Sequence, residues 1–248
     1  MFAIGVGANP RWCCSTIGAA LLAPGRNSST NSQIGTDRLP STTAAGANLT
    51  HRLEATAFPI SPMMRRASSA PWKSSGTWSL GTRWGGKVAQ LVASRRPVGL
   101  VGLVLVAPSP PSPTVLDNEQ LQILLHAYDS RESIAYTRDH ILTTLPLTNA
   151  QKERVVEDSL RGAPAARRAW PTQAMLEDIR SDARRINVPT LVLSGERDQV
   201  DPTARLREEL LPCIPDSQLQ ILSQVGHLPM LEAPDVVARA IRAFVLNL

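Results

Sequence analysis

Gly81-Thr82-Arg83-Trp84-Gly85-Gly86-Lys87 is the stretch on which the reading of this chain turns. Two glycines four positions apart suit a sharp turn from strand to helix, where backbone passes close to backbone. Arg83 stands in the middle of that turn. Downstream, apolar periods alternate between strand and helix. Upstream, residues 1–84 are rich in Ser, Thr, Pro and Arg and sustain neither period.

The formal net charge of +5 divides at the same place. Residues 1–84 carry eight Lys/Arg against two Asp/Glu, and residues 85–248 carry eighteen against nineteen. The basic excess therefore belongs to the upstream third, and the remainder has a near-neutral globular balance, so nucleic acid is not an expected partner. Cys13, Cys14 and Cys213 are too few and too poorly spaced for a disulfide framework or a zinc site. No apolar run reaches the roughly 20 residues of a membrane span. Arg11 and Trp12 interrupt the apolar start, against a signal peptide. The expectation is a cytoplasmic protein with no membrane partner, no metal and no cofactor.

Downstream of the turn, Val88, Leu91 and Val92 fall at helical spacing, with Arg95-Arg96 in the last turn and Pro97 and Gly99 as the stop. Leu100 to Val106 is a continuous, β-branched apolar run bounded by Pro108, as in a parallel strand buried on both faces. Helical patterns then fill residues 114–185. Leu121, Leu124 and Leu125 share one face, and Ile134, Ile141 and Leu145 another; Thr148 caps Asn149–Leu160, and Met175, Leu176 and Ile179 suggest a further short helix. Trp170 and Met175 are candidates to line a pocket, although an apolar residue here more often belongs to core. His126 and His140 have no partner at ligand spacing and read as structural or exposed.

The last third returns to strands. Thr190–Leu193 runs into Ser194-Gly195-Glu196-Arg197-Asp198, and Leu219–Leu222 into Gln224-Val225-Gly226-His227. Pro234 opens a helix marked by Val236, Val237, Ala240, Ile241 and Phe244. Two parallel strands that each end in a titratable residue bring those residues to one sheet edge. There an imidazole can take a nucleophile's proton, while a carboxylate fixes its tautomer and stabilises the imidazolium. Asp198 and His227 are the catalytic candidates, and Asp201 lies near enough to compete for the acid position.

With Gly195-Glu196-Arg197-Asp198-Gln199, Gly226-His227 followed by Glu232 and Pro234, and Gly86-Lys87-Val88-Ala89-Gln90 ahead of a buried strand, residues 85–248 resemble the α/β-hydrolase superfamily. The nearest branch is that of bacterial esterases, cofactor-free haloperoxidases and epoxide hydrolases. The resemblance implies a parallel sheet built from residues 85–113 and 186–248, with residues 114–185 as an inserted helical cap. It also implies a serine on a Gly-x-Ser-x-Gly elbow, with His227 as base and Asp198 as its orienting acid. This chain departs from that pattern: Arg83 holds the elbow, and the oxyanion loop and first strands of the sheet are missing. An incomplete α/β fold is therefore expected, with the N-terminal third irregular or disordered.

The genetic code offers a reason. Joining the third base of each upstream codon to the first two of the next forces Asp from Met63-Met64, Glu from Trp72-Lys73 and Gly from Trp84-Gly85. The same frame permits Gly-His-Ser-Met-Gly across Leu80–Gly85, Asp-His-Arg-Gly-Trp-Gly-Glu-Ser within Arg38–Arg52, and His-Tyr-Trp-Gly-Gly within Trp12–Leu22. In order and spacing these are an oxyanion loop, an Arg-Gly loop and a nucleophile elbow. Residues 1–84 thus read as an out-of-frame, low-order segment. The function expected is hydrolysis of a small ester-like substrate, with the nucleophile absent from the chain as written. The alternative is a non-catalytic binding protein with a basic N-terminal arm.

Overall fold

The computed structural model describes residues 76–247 and the backbone of the strand Arg11–Ser15. Among the described residues one parallel sheet runs in chain order: β1 (Arg11–Ser15), β2 (Thr77–Thr82), β3 (Leu100–Val106), β4 (Thr190–Gly195) and β5 (Ser217–Leu222). The helices are α1 (Trp84–Ser94), α2 (Asn118–His126), α3 (Arg131–Thr137), α4 (Asn149–Arg161), α5 (Pro164–Thr172), α6 (Arg180–Ala183), α7 (Thr203–Glu209), α8 (Pro229–Glu232) and α9 (Pro234–Leu246).

Alternation along β3 and β4 divides the core between two faces. Val104, Val106, Leu191 and Leu193 pack with Trp78, Leu80 and Leu222 against Val237, Ala240 and Phe244 of α9. On the opposite face Leu103, Leu105 and Val192 meet Ala89 and Ala93 of α1, Leu206 of α7, and Leu210, Cys213 and Ile214 beyond it. Cys213 is thus a small core residue, its thiol pushed up by burial.

Two short stretches of the upstream segment, Arg11–Ser15 and Thr77–Thr82, belong to this sheet. Arg11–Ser15 pairs with β2, and β2 pairs with β3 along its whole length. Thr-Trp-Ser-Leu-Gly-Thr lacks the apolar run of a doubly buried strand, so only its neighbours on either side reveal it. The Trp78 ring anchors it, edge-on to Phe244 with centroids 5.6 Å apart. The other frame-derived segments, within 16–75, lie outside the described residues.

Helix α1 also departs from its expected face. It buries Ala89, Gln90, Leu91 and Ala93, whereas Val88 and Val92 are half-buried. Close approach to the sheet selects small residues over branched ones.

The helical insertion between β3 and β4 is punctuated by capping boxes at Asp117/Gln120, Ser130/Ser133 and Thr148/Gln151, each satisfying otherwise orphaned backbone N–H groups. The single face expected through Ile134, Ile141 and Leu145 is broken. After α3 the backbone widens into a π-helical turn, Arg138–Leu142, closed by Thr143 N–H donating to Arg138 O at 3.0 Å. Leu145 lies beyond it and packs on the main core. The expected helix over Met175–Ile179 is a 3₁₀ turn, Ala174–Leu176, and Ile179 precedes α6.

The insertion is fastened at its root. Lys87 is fully buried and its Nζ donates to Glu177 O at 2.6 Å, Ser112 O at 3.1 Å and Met175 O at 3.4 Å. Burial lowers its pKa to about 8. Beside it Leu91 packs with Trp170, Ala174, Met175 and Ile179. Trp170 and Met175 are therefore core residues of the insertion, both nearly inaccessible.

Candidate active site

Strands β2, β4 and β5 deliver Arg83, Asp198 and His227 to the same carboxyl edge of the sheet. The Arg83 backbone is strained, with φ 52° and ψ −126°, a region that residues with a side chain avoid. Three backbone hydrogen bonds hold it there. Arg83 N–H donates to Val106 O at 3.1 Å, and Arg83 O accepts from Gly86 N at 2.8 Å and Ser109 N at 3.1 Å. Gly81 makes the turn possible: a Cβ there would lie 2.5 Å from Gly85 O and 2.6 Å from the Ala89 Cβ. The elbow geometry is therefore intact around a residue that is not a serine.

The Arg83 guanidinium lies 5.6 Å over the Trp84 ring and donates through Nη2 to the Tyr128 hydroxyl at 3.0 Å. Trp84 stacks on Trp170 at 5.0 Å and meets Tyr128 edge-on at 6.0 Å. Arg83 Nε is buried with no partner among the described residues. Sequence spacing gave no signal for this aromatic group, because its members come from α1, α5 and the turn after α2.

The acid and the histidine meet directly. His227 Nδ1 lies 2.8 Å from Asp198 Oδ2, and both side chains are wholly buried. Asp198 Oδ1 accepts from the N–H groups of Val200 at 2.9 Å and Asp201 at 3.0 Å, so the loop after β4 fixes the carboxylate before the histidine uses it. His227 Nε2 is buried and has no partner among the described residues. An imidazole held at Nδ1 by a carboxylate, with Nε2 unengaged, is arranged to exchange a proton at Nε2.

The His227 ring is hydrogen-bonded by Asp198, whereas the carboxylate of Asp201 is bonded elsewhere. Its Oδ2 accepts from Ser109 Oγ at 3.3 Å and its Oδ1 from Arg205 Nη1 at 3.4 Å. Burial raises its pKa to about 6. The neighbouring Asp198 charge adds to that rise, while His227 and Arg205 oppose it. Arg205 continues the network to Glu209 at 3.0 Å and Thr114 Oγ1 at 2.7 Å, and Ser112 Oγ also donates to Glu209.

Of the remaining histidines, His126 pairs with Asp129 at 2.7 Å on the exposed surface, contrary to the expectation that it has no partner. His140 lies against the Tyr136 ring at 4.3 Å. Among the described residues no three His, Cys, Asp or Glu side chains are grouped to hold a metal, and no helix is long and apolar enough to cross a membrane.

Among solved structures, an esterase from Exiguobacterium antarcticum shares 18% identity and superposes with a TM-score of 0.63 over 75% of this chain and 70% of that one. The bromoperoxidase of Bacillus anthracis gives 14% identity and a TM-score of 0.62 over 68% and 67%. At these identities the likeness is one of fold. Lipase 3 of Moraxella sp. (strain TA144) is 42% identical over 60 residues, a match covering 23% of this chain but only 18% of the lipase's length. Residues 76–240 match the model of the Alpha/beta hydrolase family, well over half of the chain, and the protein belongs to that family.

Proposed function

We propose that the site is built for serine-type hydrolysis of small ester-like substrates, and that this chain lacks the nucleophile it requires. One observation carries the reading. His227 is held at Nδ1 by Asp198 at 2.8 Å, with its buried Nε2 left without a partner. A serine at position 83 would add its Oγ to the ester carbonyl and give its proton to Nε2. The imidazolium would then return that proton to the departing alkoxide, and water would release the acyl group by the same route. Asp198 stabilises the imidazolium throughout, and backbone N–H groups at the start of α1 favour the developing oxyanion. The insertion α2–α6 serves as the cap that excludes water and shapes the acyl pocket. Asp198 and His227 are the catalytic residues of this proposal; it requires no metal, cofactor, nucleic acid or membrane.

Arg83 cannot act as the nucleophile, because its guanidinium stays protonated. Loss of the triad serine costs on the order of 10⁶ in kcat, so the chain as written is expected to be inactive. The overlapping codon reading of Thr82-Arg83 as serine, within Gly-His-Ser-Met-Gly, accounts for the loss as a shift of frame rather than a substitution. Resequencing the gene tests that directly: DNA that excludes the second frame removes the explanation.

The functional reading is tested with Arg83→Ser and p-nitrophenyl acetate. Hydrolysis by Arg83→Ser, abolished by adding His227→Ala, is the expected result. A correctly folded Arg83→Ser protein with no histidine-dependent turnover would sink it. The basic bias of residues 1–84 and the Arg83 side chain itself favour one other reading, a non-catalytic binding protein. Salt-sensitive binding of an acidic partner by the unaltered chain, with Arg83→Ser still inert, would select it.

A further inference from the structure

The histidine loop is gripped at its backbone as well as at its ring. Glu232, at the end of α8, sends its half-buried carboxylate back to that loop. Oε1 accepts from Gly226 N at 3.1 Å and Leu228 N at 3.2 Å, the two N–H groups that flank His227. Oε2 accepts from Thr144 N at 2.8 Å, Leu145 N at 2.9 Å and Thr144 Oγ1 at 3.2 Å, all in the helical insertion. The N–H of His227 itself donates to Leu142 O at 2.8 Å.

Leu142 is the last residue of the π-helical turn, a backbone form that recurs at functional sites. The single Thr144 hydroxyl proton is shared between Glu232 Oε2 and Gln224 O, the latter at 2.6 Å. Beneath them Leu142, Leu147, Leu228 and Leu231 form one apolar cluster. Gly226 lets the two segments close: a Cβ there would lie 3.1 Å from both Glu232 Oε1 and Leu142 O.

We propose that Glu232 is a positioning residue for His227, tying the histidine loop to the π-turn of the helical insertion so that the seating of the insertion sets the imidazole. The proposal rests on His227 and Asp198 being the catalytic pair. A carboxylate is required because donors approach both of its oxygens, and charge-assisted bonds of this kind exceed neutral ones in strength. An amide offers one acceptor oxygen and turns N–H groups toward the remaining donors. Glu232→Gln therefore keeps the volume and loses half the grip.

The experiment follows the Nδ1 proton of His227 by NMR in the unaltered chain, where its bond to Asp198 places it far downfield of the amides; loss of the signal in His227→Gln assigns it. In Glu232→Gln that proton is expected to shift and to exchange with water about tenfold faster or more, the equivalent of one charge-assisted hydrogen bond, while near-ultraviolet circular dichroism is retained. Thr144→Val, which removes the hydroxyl's bonds to Glu232 and Gln224 O but keeps the Thr144 N–H bond to Glu232, gives a smaller change in the same direction and serves if Glu232→Gln fails to fold. An unchanged position and exchange rate in a folded variant overturns the positioning role alone. Absence of the signal from the unaltered chain overturns the Asp198–His227 pairing, and the proposal with it.

Discussion

The backbone N–H of Asp201 donates to Oδ1 of Asp198 at 3.0 Å, which places two buried carboxyl groups in one short loop beside His227. Burial raises the Asp201 pKa from 3.8 to about 6, with the Asp198 charge adding to it. The folded pKa lies above the unfolded one, so between about pH 4 and pH 6 the folded state binds the proton more tightly. Stability from this group is full below pH 4 and is lost as pH rises through 6, by at most about 3 kcal/mol. Asp201→Asn is expected to flatten that dependence in urea denaturation measured at pH 4, 5, 6 and 7.

Lys87 titrates in the opposite sense. Its folded pKa of about 8 lies below the ordinary 10.5, so the unfolded chain binds more protons between those values. Stability is therefore expected to rise from pH 8 toward pH 10. Lys87→Met, which removes the ionisable group, should abolish that rise. It should also cost about 2 kcal/mol at pH 7 through the buried carbonyls of Ser112, Met175 and Glu177 left without their donor. Thermal unfolding of both chains at each pH gives the comparison.

Trp78 tests whether Thr77–Thr82 is part of the core. Its ring is almost wholly buried and meets Phe244 edge-on, so Trp78→Ala is expected to cost about 3–5 kcal/mol. A cost below about 0.5 kcal/mol, the usual scale of a surface change, would mean that β2 is not part of the core.

The strands downstream of the turn were legible because their physics is local. Leu100–Val106 and Thr190–Leu193 are predominantly apolar, as parallel strands covered on both faces tend to be, and Pro234 with its 3–4 repeat marks α9 before any contact is known. Strand β2 was not legible. Thr77, Ser79 and Gly81 carry no apolar signal, and the strand owes its burial to β1 and β3 on either side. The π-turn escaped as well: no residue pattern announces it, and the contacts around it, such as Arg138 donating to Lys152 O at 3.0 Å, cross to another helix.

At the site, Asp198 and His227 could be named from strand ends and chain order, whereas the choice between Asp198 and Asp201 required the 2.8 Å contact with the ring. Glu232 was visible as a motif letter without a task, since its donors come from residues 144–145 and 226–228.

The sequence by itself determined that parallel strands would bring an acid and a histidine to one edge, and that arginine stands in the turn between a strand and a helix. Periodicity and residue identity suffice for both. Only the tertiary structure decided which aspartate holds the imidazole, that Arg83 retains the strained elbow backbone, and that Glu232 joins the histidine loop to the helical insertion. Those are contacts between segments up to 88 residues apart, set by how the elements pack and absent from any local pattern.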